Sequence, residues 1–451
     1  MIRKMFGTDG IRGVANQYPM TSEVALSVGR ALAYLFQNGQ KPRILIGKDT
    51  RLSGYMIEMA MASGLCSMGA DVLLIGPMPT PGIAFLTQAM RADAGVMISA
   101  SHNPYQDNGI KVFDKNGFKL PDSMEKQIEE LILSGEIDHH RPTASSIGKA
   151  SRVEESKGRY IEFVKSTFPK NLTLEGVKVV LDCAHGATYQ IAPTILEELG
   201  AEVVVLGGEP DGRNINDGVG AIHPQFMAAR VREVGAHLGI ALDGDGDRVI
   251  FCDELGTIIH GDAILAICGE ELLRQGELKK DTIVATVMSN YAVEEYLTKV
   301  GAHVVRSRVG DRYVVEMMKE QGLNFGGEAS GHLVFLDHAT TGDGLVAALQ
   351  VLRILKARQV KLSQAVSGYR PYPQILTSVK VNGRQDLSLF PELQTMIRQC
   401  EEKLSPKGRL LVRYSGTEPV VRIMIEGRDA PLIQKMVNEL TSCIQKNLPS
   451  S

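Results

Sequence analysis

Three stretches of this chain share one design: a short apolar, β-branched run, then a polar or glycine-bearing loop, then a helical pattern. They are Arg43 to Gly54 (RILIGKDTRLSG), Val177 to Tyr189 (VKVVLDCAHGATY) and Thr282 to Glu295 (TIVATVMSNYAVEE). Strand, loop and helix in that order argue for α/β layers with mostly parallel strands. In such sheets ligands bind where the carboxyl ends of strands deliver polar residues into loops. From Arg409 to Gly427 (RLLVRYSGTEPVVRIMIEG) the pattern changes to strand, loop, strand. An amphipathic segment follows, with Leu432, Met436, Leu440 and Cys443 on one stripe. The expected fold class is α/β: three related α/β domains with mixed sheets and a smaller C-terminal α+β domain. Breaks near Ser151–Lys157, at the turn Asp253–Gly256 and at the proline-bearing linker Tyr369–Gln374 divide the chain into 1–153, 154–255, 256–368 and 369–451. Its 451 residues suit three or four domains.

Composition narrows the function classes. At 44% hydrophobic and 22% charged residues, the chain is ordinary for a globular protein. It has no apolar run of about 18 residues to span a bilayer. A net charge of −3 gives no basic field for nucleic acid. The six cysteines lie no closer than sixteen positions apart, so no CxxC pair exists for zinc or redox work. The opening MIRKMFGTDG lacks the apolar core of a secretory signal, so reduced thiols in a cytoplasm are expected. Trp is absent and aromatics are 5%, so a sugar would be held by polar groups rather than by stacking.

The strongest chemical signal is Asp243-Gly244-Asp245-Gly246-Asp247-Arg248, flanked by strand-like LGIAL and VIFC. Alternate residues of an extended segment face one way, so the three carboxylates are expected to converge, and the glycines allow close backbone approach. Such carboxylates repel unless a cation sits among them, and oxygen-only ligands select Mg²⁺, Mn²⁺ or Ca²⁺. The plain alternative is a solvated acidic turn. An EF-hand is excluded, because Arg248 stands where that loop needs glycine and strands flank the segment.

A second signal is Gly95 to Pro104 (GVMISASHNP), where an apolar strand ends in small polar residues and Pro104 stops further pairing. Ser101, at the strand's lip beside His102, is either a nucleophile or phosphate carrier, or with Asn103 a simple turn cap. Lys111 follows in the strand-like IKVF. In Arg413 to Pro419 (RYSGTEP), a guanidinium, the hydroxyls of Ser415 and Thr417, and amides around Gly416 suit a phosphate; Arg422 returns on the next strand. Gly326 to His332 (GGEASGH) sets Glu328 and Ser330 two apart, able to bind sugar hydroxyls or an amine. The basic glycine loops Gly7–Gly13 and Gly47–Arg51 are singly no more than turns. Thr340 to Gly344 (TTGDG) is expected to open a helix, with Asp343 in its first turn. No Walker loop or GxGxxG fingerprint occurs in strand–helix context, so the phosphate is not expected on a nucleotide.

In this order and at these separations, ISASHNP, DGDGDR, GEASGH and RYSGTEP resemble the α-D-phosphohexomutase superfamily, from Phe6 to about Gly427. Within it, FGTDGIRG and TTGDG resemble the bacterial phosphoglucosamine mutase branch, whereas the phosphomannomutase/phosphoglucomutase branch opens with a YDIRG-type loop. Two departures are His185, where that branch has Asn, and Ala329, where Gln, Asn or Met is usual.

The resemblance implies four domains around a central cleft: phosphoserine loop, metal, sugar and phosphate domains in chain order. It implies Ser101 as phosphoserine, and one Mg²⁺ per chain held by Asp243, Asp245, Asp247 and a phosphoserine oxygen. Glu328 and Ser330 would hold the sugar, with Arg248 and His332 in the same substrate-binding set. Arg413, Ser415, Gly416, Thr417 and Arg422 would hold the non-reacting phosphate. The implied reaction interconverts glucosamine 6-phosphate and glucosamine 1-phosphate through a sugar 1,6-bisphosphate, feeding UDP-N-acetylglucosamine and cell-wall precursors. Lys111, with His102 or Arg12 near it, is the expected general acid/base, a role requiring that burial or other cations lower its pKa. Competing readings are a phosphomannomutase/phosphoglucomutase, a metal-dependent phosphatase, and a non-catalytic sugar-phosphate binder, which needs neither Ser101 nor a full acidic triplet. The expected partner is a small sugar phosphate, with no nucleic acid or membrane, for a cytoplasmic monomer or homodimer.

Overall fold

The structure, a computed structural model, describes residues 5–7, 9–37, 39–383, 385–405, 407–414 and 420–448. The chain forms two compact units, one from residues up to Met288 together with Ala302–Ser367, the other from Ser289–Gly301 together with Gly368 onward.

The first unit holds three mixed sheets. One comprises β1 (Phe6–Gly7), β2 (Gly10–Val14), β3 (Arg43–Lys48), β4 (Asp71–Pro77), β5 (Ala94–Ile98), β6 (Asp107–Asp114) and β7 (Ala150–Arg152), in the order β1-β2-β6-β5-β3-β4-β7. The next comprises β8 (Lys178–Asp182), β9 (Glu202–Leu206), β10 (Leu238–Leu242), β11 (Val249–Asp253) and β12 (Ile258–Ile259), in the order β12-β11-β10-β8-β9. The third comprises β13 (Thr282–Thr286), β14 (His303–Ser307), β15 (Phe325–Gly327) and β16 (Leu333–Phe335), in the order β14-β13-β15-β16.

The three look-alike stretches take the same place in these sheets. β3, β8 and β13 each lie between two parallel neighbours. In each sheet the second of those neighbours, β5, β10 or β15, pairs antiparallel with the next strand of the chain. One four-strand unit is therefore used three times. The connection from its third to its fourth strand carries Ser101 in the first sheet, Asp243–Asp247 in the second and Glu328 in the third. All five residues of β5, and all five of β10, are buried, as expected for strands covered on both faces.

Helices start and stop where their caps dictate. Thr21 accepts the Val24 N–H to open Ser22–Leu35, and Pro224 begins a helix that Gly235 ends at φ +61°. Asp343 is the cap of Gly344–Arg358 and not a residue of its first turn: its carboxylate accepts the N–H groups of Leu345 and Val346. Ser22–Leu35 crosses Ser53–Ser67 at two glycines. A β-carbon on Gly64 would stand 2.1 Å from Leu26 O, and one on Gly29 2.5 Å from Met61 O.

The second unit has an antiparallel sheet of β17 (Gln374–Lys380), β18 (Gly408–Tyr414) and β19 (Val420–Gly427), in the order β17-β19-β18. Ile423 and Ile425 share one apolar core with Leu393 of helix Pro391–Leu404 and Leu440 of helix Ala430–Asn447. Met436, Leu440 and Cys443 of the expected stripe are buried there, while Leu432 is half-buried at the edge. The proline-bearing segment is fastened rather than free. Tyr372 gives its N–H to Asn290 Oδ1 and accepts from Asn290 Nδ2, both at 3.0 Å, so one asparagine side chain replaces a strand partner.

Gly64→Ala gains about 1 kcal/mol of helix propensity but forces a backbone contact apart, which costs about 1–3 kcal/mol. The packing effect should win: the variant is expected to unfold at lower urea than the parent.

Candidate active site

β5 ends at Ile98 and the chain turns sharply. Ser101 takes φ +54°, a left-handed conformation that costs a non-glycine residue on the order of 1–3 kcal/mol and persists only when its surroundings enforce it. Arg51, wholly buried, does much of the enforcing. Its Nη2 donates to Ser101 O at 2.9 Å and Asn103 O at 2.8 Å, its Nη1 to Asp107 O at 3.0 Å and to Pro104 O. Its Nε donates to Asp49 Oδ2 at 2.7 Å. Asn216 Nδ2 donates to the same Ser101 and Asn103 carbonyls at 2.9 and 3.0 Å. Ser99 Oγ, bonded to Asp49 at 2.6 Å, accepts the Ser101 N–H at 2.9 Å. The Ser101 hydroxyl is thereby aimed at Asp243 Oδ2, to which it donates at 2.6 Å, with His102 Nδ1 at 3.3 Å.

The three aspartates converge because the chain turns, not because it is extended. β10 and β11 are antiparallel, with Leu242 opposite Val249, so 243–248 is a hairpin connection. Gly246 closes it, giving its N–H to Asp243 O at 3.0 Å from φ +70°. Carboxylate oxygens of Asp243, Asp245 and Asp247 lie within 4.8 Å of one another, and all three residues are buried. Burial, then the charges of Asp247 and Asp245, push the Asp243 carboxyl well above its ordinary range. Burial also raises Asp247, but Lys111 and His332 outweigh it and hold that carboxyl well below.

Lys111 Nζ donates to Asp245 Oδ2 at 2.8 Å and Asp247 Oδ2 at 3.3 Å, and the Thr80 hydroxyl also donates to Asp245. Asp245 Oδ1 and Asp247 Oδ1 are buried without a hydrogen-bond partner. Buried anionic oxygens left unpaired are costly, and an all-oxygen cluster offering them is the donor set of a hard cation. The residues present therefore fit a divalent metal ion.

A cleft of about 450 Å³ opens beside this cluster, lined by Asp9, Arg12, Ser101, Arg248, Glu328 and His332 among others. Arg12 Nη1 reaches Ala100 O at 3.4 Å, and the Arg248 N–H donates to Asp243 Oδ1 at 3.1 Å. Glu328, on the β15–β16 connection, accepts the Gly310 N–H at 2.9 Å. Ser330 is exposed on that connection and does not line the cleft. His332 is buried, its Nδ1 3.7 Å from Asp247 Oδ1.

The two proton-transfer candidates differ in kind. Burial works to lower Lys111, but Asp245, Asp9 and Asp247 outweigh it and raise its pKa, so the lowering expected of a general base does not occur. His102 is held down at about 4 by burial, then by Arg248 and Arg12, and is a neutral imidazole at pH 7.

Several residues of the site had no distinctive sequence signal. Asp9 pairs with Arg12 and Lys119, Lys119 also with Asp311, and Asp9 lies 3.5 Å from Lys111. Asp9 and Arg51 sit in glycine loops that read as turns; Lys119, Asn216 and Asp311 sit in no motif. In the second unit, Arg413 and Arg422 are direct partners across β18 and β19, on the face opposite Ile423 and Ile425. Like charges directly opposed on neighbouring strands destabilise a sheet. Ser415, Gly416 and Thr417 lie outside the described residues.

Four family models match the chain. Phosphoglucomutase/phosphomannomutase alpha/beta/alpha domains I, II and III match residues 3–138, 158–256 and 260–372, and the C-terminal domain of the same family matches 376–442. A phosphoglucosamine mutase of Geobacter sp. (strain M21) is 56% identical over 448 residues, 99% of each chain. A phosphoglucomutase/phosphomannomutase family protein of Burkholderia thailandensis has a crystal structure with TM-score 0.83 at 24% identity, covering 100% of this chain and 99% of that one. N-acetylphosphoglucosamine mutase of Aspergillus fumigatus, solved in complex with GlcNAc-6P and magnesium, gives TM-score 0.68 at 17% identity, over 98% and 95% of the two chains. Those two likenesses speak for the fold; the models and the full-length relative speak for more. The chain belongs to the phosphoglucomutase/phosphomannomutase family of phosphohexomutases.

Proposed function

We propose that this chain interconverts glucosamine 6-phosphate and glucosamine 1-phosphate through a phosphoserine at Ser101, and that the cation at its aspartate cluster is Mg²⁺. The observation that carries the reading is the Ser101 hydroxyl at 2.6 Å from Asp243 Oδ2, on the edge of a three-carboxylate cluster with two unpaired oxygens. A phosphate on Ser101 adds about −1.5 to −2 charge beside these aspartates, tolerable only with compensating cations. The naming of full-length relatives supports the amino sugar, and the A. fumigatus complex with GlcNAc-6P and magnesium supports cation and substrate class.

Asp243, Asp245 and Asp247 would hold the ion together with an oxygen of the Ser101 phosphate. Bound there, it would supply charge neutralisation and polarisation of the phosphoryl oxygens. The chain's own residues do the rest. In the first transfer the Ser101 Oγ–P bond breaks as the sugar's O1–P bond forms, and the proton that O1 gives up is matched by the one Ser101 Oγ gains, with Arg51 and Asn216 keeping Ser101 in place. Arg12 and Arg248 face the cleft as fixed cations for the phosphoryl group in flight. Lys111, held protonated by Asp245, Asp9 and Asp247, serves in this reading as a fixed cation at the cluster and not as a proton carrier. The neutral His102 ring can take a proton, and its Nδ1 is within reach of Ser101 Oγ when that hydroxyl attacks the 6-phosphate of the bisphosphate in the return transfer. Glu328 and His332, which line the cleft, are proposed to bind the sugar, and Ser330 outside it is left out of that set. Arg413 and Arg422, with Ser415, Gly416 and Thr417, are proposed to hold the phosphate that is not reacting.

Ser101→Ala is expected to abolish turnover in a coupled assay while sugar-phosphate binding persists, and intact mass should find one phosphate on the parent and none on the variant. Near-normal turnover in S101A overturns the assignment. Stripping divalent cations should stop isomerisation, and Mg²⁺ should restore it. The value of kcat/KM should be higher for glucosamine 6-phosphate than for the glucose or mannose phosphates; the reverse order favours phosphoglucomutase or phosphomannomutase activity. Arg51→Lys keeps the charge but loses the fork. It is expected to lower kcat by about 10²-fold through misplacement of Ser101 and to cost about 1–3 kcal/mol in a denaturant titration.

A further inference from the structure

We propose that Asp343 is a positioning residue of this reaction, acting through the two glycines beside it on the carboxylate of Asp247. The inference rests on the reading of the aspartate cluster as a metal site. Residues 341–344 connect the region after β16 to helix Gly344–Arg358 and touch the cluster twice. The Gly342 N–H donates to His332 Nε2 at 3.1 Å. That contact fixes the plane of the ring, whose other nitrogen, Nδ1, stands 3.7 Å from Asp247 Oδ1, while Nε2 also lies 3.5 Å from Asp311 Oδ2. The Gly344 N–H donates to Gly246 O at 3.0 Å, inside the aspartate turn itself.

Asp343 fixes the peptide planes on both sides of it. Its Oδ1 accepts the N–H groups of Leu345 at 2.9 Å and Val346 at 3.0 Å, and its Oδ2 accepts the buried Tyr160 hydroxyl at 2.8 Å. Its own N–H donates to Leu333 O at 3.3 Å. The space around the glycines says the same. A β-carbon at 342 would stand 2.4 Å from His332 Nε2, and one at 344 would stand 2.8 Å from Arg248 O and 3.1 Å from Gly246 O. The atom at the end of this chain of contacts, Asp247 Oδ1, is one of the two unpaired oxygens that fit a cation. Partners that orient a metal's ligands typically change its affinity by about 10–100-fold when removed.

A residue that only capped its helix would affect folding and leave the metal alone. The test is Mn²⁺ titration of the unphosphorylated enzyme by electron paramagnetic resonance, with melting temperature and kcat measured on the same samples. Asp343→Ala is expected to weaken Mn²⁺ binding about 10–100-fold and to lower kcat. Asp343→Asn, whose amide oxygen still accepts from Leu345 and Val346, should recover most of that binding. Gly342→Ala leaves the cap intact but displaces the His332 ring, and is expected to weaken Mn²⁺ as Asp343→Ala does; it decides the matter if D343A does not fold. A lowered melting temperature with parental Mn²⁺ affinity in D343A or in G342A overturns the proposal. A parent enzyme that binds no Mn²⁺ overturns the metal reading beneath it.

Discussion

Three buried carboxylates with oxygens within 4.8 Å of one another cannot stand together uncompensated. Much of the first unit's polar interior answers that constraint. Lys111 reaches two of the three, Thr80 fixes one from the start of its helix, and Arg248 lends its amide to the third. The balance around Lys111 is closed by Asp9, which Lys119 and Arg12 in turn offset. Ser101 donates into the corner where repulsion is greatest, at Asp243, whose carboxyl burial and its two neighbours push upward. Buried ions are strongly destabilising when one partner is lost, so these residues form a set whose members are not independent.

The threefold use of one strand pattern explains how residues so far apart in sequence do one task. In each sheet a loop between a parallel and an antiparallel strand faces outward at a carboxyl end, where α/β sheets bind ligands. The first copy presents the serine, the second the acidic cluster, the third the glutamate. The second unit, taken by itself, sets two arginines opposite each other on neighbouring strands.

What could be read in the sequence was chemistry packed into short runs. The aspartate triplet, the serine at a strand's lip and the glutamate loop each put their groups within about seven residues, so residue type and spacing pointed to them. The local shape was less legible. Alternation along a strand suggested that the aspartates align by extension, whereas a hairpin turn brings them together, and the same two-residue spacing put Ser330 on an exposed bend. Long-range partners left no trace. Arg51 is bonded to carbonyls some fifty residues on, and Lys119 to Asp311 across 192 positions. The upward shift of Lys111 comes first from Asp245, then from Asp9 and Asp247; the triplet was legible, but no local pattern places Lys111 against it.

The wiring of the serine loop has a consequence for motion. The Ser101 and Asn103 carbonyls each receive two side-chain donors, and the arginine supplying one of each pair is fully buried. A loop tethered at so many points does not swing to follow a ligand. In a reaction that must visit both ends of a hexose, the travelling is then left to the sugar, and the enzyme's reach is set by how freely a doubly phosphorylated intermediate can tumble without drifting into bulk water.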